Sequence, residues 1–142
     1  MRSAYEAPNG AGNLALESAP ASRPFTVLVA DDDQEMLDAI AGVLLAQGCR
    51  VITAVDGRDA LEKALQVRPD LVITDLLMPL IDGIGLAKAL RADALTASAR
   101  IVLCSGVSEN SVRPLFSAYD GFLQKPYELD DLHQVLGKVR VR

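Results

Sequence analysis

Thr26-Val27-Leu28-Val29-Ala30-Asp31-Asp32-Asp33 is a run of five apolar or β-branched residues that ends, with no spacer, on three consecutive acids. A run that short and that apolar reads as a strand buried on both faces. Four more such runs follow along the chain: Arg50–Ala54, Leu71–Thr74, Arg100–Cys104 and Phe122–Leu123. Helical spacing fills the gaps between them. Leu37, Ile40, Ala41, Leu44 and Leu45 form one apolar stripe, and Gly48 is placed to end that helix. The segment from Arg58 to Val67 repeats the habit with Ala60, Leu61, Ala64 and Leu65. Ile84, Leu86, Ala87 and Leu90 do so again, and Leu129, Leu132 and Leu136 define a last helix with Val139 nearby.

Strands alternating with helices imply βαβ units, hence a parallel sheet covered on both faces. Five repeats predict an α/β fold of the doubly wound (βα)5 type, flavodoxin-like, with strand order 2-1-3-4-5. Such a sheet opens a crevice at the carboxyl ends of strands one and three, where the winding direction reverses. Strand one runs into Asp31, Asp32 and Asp33, and strand three runs into Asp75. Carboxylates gathered on one patch repel unless a cation neutralises them. Oxygen-only ligation suits a hard divalent ion, Mg2+ or Mn2+. A helix cap accounts for one acid, and Asp33 is read that way. It leaves three acids on two adjacent strands without an explanation.

Strand four is followed by Ser105-Gly106, and strand five by Gln124-Lys125-Pro126. Each is ordinary alone, since a Ser after a strand is usually a turn residue and a lone Lys is usually solvated. Together they bring a hydroxyl and a cation to the same acidic edge. The Lys125-Pro126 bond is open to either isomer, with cis the minority form in general.

Composition narrows the classes of function. A chain of 142 residues, half of them hydrophobic, fits one domain with a sizeable core. Residues 1–24 carry Glu6 and Glu17 against Arg2 and Arg23, so the net charge of −5 belongs to the chain from Phe25 onward. Acidity without a basic stripe disfavours direct nucleic-acid binding. Cys49 and Cys104 match no metal or CxxC spacing and read as reduced thiols. With no signal-like start and no membrane-length apolar stretch, the expected location is cytoplasmic, with no membrane contact. Residues 1–24, rich in Ala, Ser, Pro, Gly and Asn, are expected to be a flexible leader, and residues 25–142 the domain proper.

From Phe25 to Val139 the chain resembles the receiver domains of two-component response regulators. The resemblance rests on Val27-Leu28-Val29-Ala30-Asp31-Asp32-Asp33, Val72-Ile73-Thr74-Asp75-Leu76-Leu77-Met78-Pro79, Asp82-Gly83, Ser105-Gly106 and Lys125-Pro126, all in order. It implies that Asp75 is the phosphoacceptor, taking a phosphoryl group from a histidine kinase or histidine phosphotransferase. It further implies that Asp31, Asp32, Asp75 and the backbone carbonyl of Leu77 hold the metal. Ser105 then serves as the switch hydroxyl, Lys125 as the cation that contacts the phosphoryl group, and Phe122 as the aromatic switch residue. Such a domain is a signalling switch with weak phosphotransfer and autodephosphorylation activity rather than an enzyme. Its output is a protein partner bound through the fourth helix, fifth strand and fifth helix, by a monomer or a phosphorylation-dependent dimer.

Departures from the family's common pattern are informative. Gly106 stands where Ala is usual, and Phe122 lacks the hydroxyl of a Tyr. Leu77 and Val107 stand where relatives control the access of water to the acyl phosphate, so two apolar residues predict shielding. Pro114 and a short Ser105–Lys125 stretch predict a short or shifted fourth helix that begins near Ser111. His133 is read as structural or partly exposed. Competing readings are a phosphorylation-independent pseudo-receiver and, a poor third, a haloacid-dehalogenase-type phosphatase using Asp31 and Asp33. No output domain is read after the last helix, which fits a stand-alone receiver or a piece of a longer protein.

Overall fold

The structure, a computed structural model, describes residues 23–140. Within them strands and helices alternate: β1 (Thr26–Ala30), α1 (Gln34–Ala46), β2 (Arg50–Ala54), α2 (Gly57–Val67), β3 (Leu71–Asp75), α3 (Gly83–Ala92), β4 (Arg100–Ser105), α4 (Glu109–Val112), β5 (Gly121–Gln124) and α5 (Leu129–Arg140). All strand pairs are parallel, in the order β2-β1-β3-β4-β5, so the winding reverses between β1 and β3 as expected. Apart from Arg23 and Pro24, the expected leader lies outside the described residues. Arg23 itself is tied to Asp70 at 2.8 Å.

The two-residue period of a strand sorts the core into two layers. Val27, Val29, Leu71, Ile73, Val102, Cys104 and Leu123 pack with Leu37, Ile40 and Leu44 of α1 and Leu132, Val135, Leu136 and Val139 of α5. Leu28, Ala30, Val72, Ile101 and Leu103 point the other way, onto Ala60 and Ala64 of α2, Leu86, Ala87 and Leu90 of α3, and Val112 of α4. Both layers need apolar side chains from the same strand. That is why β1 and β3 are buried at every position and read as unbroken apolar runs.

Asp33, Asp56 and Asp82 cap the first three helices, accepting from the N–H groups of Glu35, Asp59 and Gly85 at 3.0, 2.8 and 2.8 Å. Gly48, at φ +85°, provides the left-handed residue that turns the chain out of α1 into β2. Two expectations need correcting. Leu45 is 42% exposed and Leu129 56% exposed, so neither belongs to a buried face, and Val135 fills the place on α5 that Leu129 does not. The buried stripe of a sheet-packed helix is narrower than the full run of apolar residues.

α4 is short as expected, but it begins at Glu109, before Ser111, and ends at Val112. Its last ladder bond runs from the Arg113 N–H to the Glu109 carbonyl at 2.9 Å. Pro114 has no N–H to give the Asn110 carbonyl, so the ladder stops there. The Lys125-Pro126 bond is cis. Both cysteines are free and buried, and His133 is exposed. Among the described residues, no helix is long and apolar enough to cross a membrane.

Candidate functional site

Register places the acids. Ala30 pairs with Thr74, so the next residues, Asp31 and Asp75, emerge level at the carboxyl edge of adjacent strands. The Asp31 N–H is held by the Ala54 carbonyl of β2 at 3.1 Å, and the Leu76 N–H by the Cys104 carbonyl of β4 at 2.9 Å. These bonds extend the ladder past both acids and fix their backbones. Asp31, Asp32 and Asp75 offer carboxylate oxygens within 4.8 Å of one another. Asp31 is 3% exposed and Asp75 9%, whereas Asp32 faces solvent.

On the far side, β4 and β5 deliver the other two groups. Ser105 pairs with Gln124, and the Lys125 N–H donates to the Ser105 carbonyl at 2.7 Å. The Lys125 ammonium lies 3.2 Å from Asp75 Oδ1 and 3.7 Å from Asp31 Oδ2. One cation therefore bridges the two most buried acids. Ser105 is 2% exposed, and its Oγ accepts from the Val107 N–H at 2.9 Å. An oxygen that accepts there keeps its own proton free to donate elsewhere.

Burial lifts the Asp31 carboxyl above its ordinary value; the Asp33 N–H bond opposes the rise, the Asp75 charge adds to it, Lys125 opposes it and Asp32 adds again. Burial works against the charge on Lys125, yet the hydrogen bond and charge of Asp75, with Asp31 behind, raise it overall. Single-cation compensation thus leaves Asp31 strained as an anion. An all-oxygen acidic donor set with uncompensated negative charge fits a hard divalent ion.

Gly83, quoted above only within the Asp82-Gly83 pair, shapes the site, and Tyr127, which no motif marked, lies near it. A Cβ on Gly83 would meet the Asp75 carbonyl oxygen and lie 2.8 Å from Leu76 Cα, so only glycine lets α3 start against the backbone of the acid. Tyr127 packs against the layer formed by α1 and α5, with its hydroxyl 3.5 Å from Met36 Sδ. No spacing rule marks Tyr127; its role is visible only once α1 and the segment after β5 meet. Leu77 and Val107 are 76% and 50% exposed, flanking the cluster on the loops after β3 and β4. Phe122 is half-buried in the α2–α3 layer.

Residues 27–137 match the response regulator receiver domain family. The chain belongs to that family. Receiver domains are signalling switches of two-component systems rather than enzymes in the ordinary sense, and the family binds Mg2+ at an acidic pocket of this kind. Among similar proteins, the transcriptional regulatory protein PrrA of Mycobacterium leprae is 35% identical over 106 residues, or 75% of this chain. The chain spans 46% of that relative's length. The receiver fold is matched by the chemotaxis response regulator CheY4 of Vibrio cholerae, with 28% identity, TM-score 0.77, and coverage of 82% of this chain and 99% of the other. A CheX–CheY–BeF3–Mg2+ complex from Borrelia burgdorferi matches with 27% identity, TM-score 0.75, and coverage of 84% and 91%. As a receiver, the chain falls outside the dehalogenase-type reading.

Proposed function

We propose that this receiver domain accepts a phosphoryl group on Asp75 from a phosphohistidine of a histidine kinase or phosphotransferase. The observation that carries the reading is the bridging of Asp75 and Asp31 by Lys125 beside the exposed Asp32. An Asp75 carboxylate oxygen attacks phosphorus, the N–P bond breaks, and its electron pair leaves with the imidazole nitrogen, which then takes a proton. The product is an acyl phosphate on Asp75. Asp31, Asp32, Asp75 and the Leu77 carbonyl would hold Mg2+, whose chemistry is to neutralise charge on the phosphoryl oxygens. Lys125 transfers its attention from the Asp75 carboxylate to the phosphoryl oxygens, and Ser105 donates its free proton to one of them.

With Ser105 drawn inward, Phe122 repacks and the face formed by α4, β5 and α5 changes for a protein partner, whether the domain stays monomeric or dimerises. Leu77 and Val107 cover the site with apolar surface and slow attack by water. The longer relative PrrA is named a transcriptional regulatory protein, and this chain spans 46% of its length; the acidic stretch in hand is proposed to act through proteins.

Intact mass after incubation with acetyl phosphate and Mg2+ tests the reading. A Mg2+-dependent phosphoryl adduct on the unaltered chain, absent in Asp75→Asn, is the expected result. Folded protein that binds Mg2+ yet never forms the adduct would instead make this a pseudo-receiver that recruits partners without phosphorylation.

A further inference from the structure

The segment before β5 carries an aromatic hydroxyl that the site described above does not use. Tyr119 donates from its OH to Glu109 Oε2 at 2.6 Å, and Glu109 is the first residue of α4. Arg113 steadies the same carboxylate oxygen from one helical turn away at 2.7 Å. The Tyr119 ring also packs against Phe122, with ring centroids 5.9 Å apart, and against Phe116 at 6.4 Å. One side chain therefore touches the start of α4 and the aromatic residue proposed to move.

Its mount is rigid. Arg91 of α3 donates to the Ala118 carbonyl at 3.0 Å and to Asp120 Oδ2 at 3.0 Å, gripping the residues on either side of Tyr119. Asp120 in turn accepts from the Ile101 N–H of β4 at 2.8 Å. The other end of the contact is loosely held. α4 has only four residues, its N-cap Ser108 makes no side-chain capping bond, and Gly106 in the preceding loop has open space around it. A short helix with one buried anchor, Val112, holds its position through few contacts.

We propose that Tyr119 is a latch, tying α4 and the Ser105–Ser108 loop to the Arg91-gripped segment in the phosphate-free arrangement and so opposing inward closure on Asp75. The proposal rests on the switch reading given above and adds a positioning residue to it. The Ser105 hydroxyl accepts from the Val107 N–H of its own loop and keeps its proton free, so closure on a phosphoryl group has a donor waiting. Drawing Ser105 inward moves Ser108 and Glu109 with it, while Tyr119 is held back by its neighbours. The hydrogen bond is made in one state and lost in the other, which is the condition for shifting an equilibrium between them. It also places at residue 119 a hydroxyl that Phe122 lacks.

Titration of the metal-loaded chain with beryllofluoride, a phosphoryl mimic, tests the latch by calorimetry. Tyr119→Phe removes the hydroxyl and keeps the ring. It is expected to bind the mimic about three- to tenfold more tightly, the scale of one hydrogen bond. Glu109→Ala, which removes the acceptor, is expected to tighten binding in the same direction, and the double variant to be no tighter than the stronger single one. Purely structural damage would lower the Tm without tightening binding. Unchanged or weaker affinity in both single variants would overturn the latch while leaving the switch intact. Absence of any beryllofluoride binding by the unaltered chain would remove the switch reading, and the latch with it.

Discussion

Asp31 is the most buried of the three carboxylates at the carboxyl edge, so water solvates its charge least. Its carboxyl is raised above 3.8, chiefly by that burial. The folded domain therefore takes up a proton at a pH where the unfolded chain has not yet done so. By linkage, Asp31's own contribution to the stability of the metal-free domain grows as pH falls through the window above 3.8. Mg2+ needs the deprotonated form, so its affinity falls through the same window. Calorimetric Mg2+ titrations of the unaltered chain, and the difference between its urea melts and those of Asp31→Asn across acidic pH, should show Mg2+ affinity falling while the Asp31 contribution to stability rises. A parallel change would contradict the role assigned to Asp31. The residue types were legible in the sequence because each acid ends an apolar run. The cation was legible too, since Lys125 follows the fifth strand and its approach to Asp75 was expected; that it also answers Asp31 was not, because this depends on where β5 lies beside β4.

Helices on this sheet bury a narrow strip. Leu44 is fully buried while its neighbour Leu45 is 42% exposed, although both continue the same apolar spacing. Leu44→Ala should cost about 2–5 kcal/mol in urea denaturation, by lost burial plus a cavity. Leu45→Ala should stay within about 0.5 kcal/mol. Similar costs at the two positions would mean that α1 is rotated from the orientation described. Periodicity located the first three helices and the last because each runs ten residues or more. α4 was legible only as an interruption, through Pro114. Its start at Glu109 follows Ser108 at the N-cap and comes with a contact to Tyr119 and the burial of Val112, and the last two have no local signature.

Across the whole molecule, an acidic domain concentrates three carboxylates where one lysine answers two of them. A cation that binds only the folded chain stabilises it by mass action. At a free Mg2+ concentration a hundredfold above Kd, the domain should gain about 2.7 kcal/mol. Asp32→Asn should remove most of this gain at little cost to the metal-free fold, because Asp32 is exposed; Tm with and without Mg2+ reads both effects. An equal gain in the variant would exclude Asp32 from the site. The sequence by itself determined the alternation of strands and helices, the strand order and the identity of the acids, since burial on two faces and winding at a switch point are written in local pattern. Only the tertiary structure decided which apolar residues are buried, which groups share the cation and what holds α4. Those outcomes depend on contacts between segments far apart in the chain, and no local period encodes them.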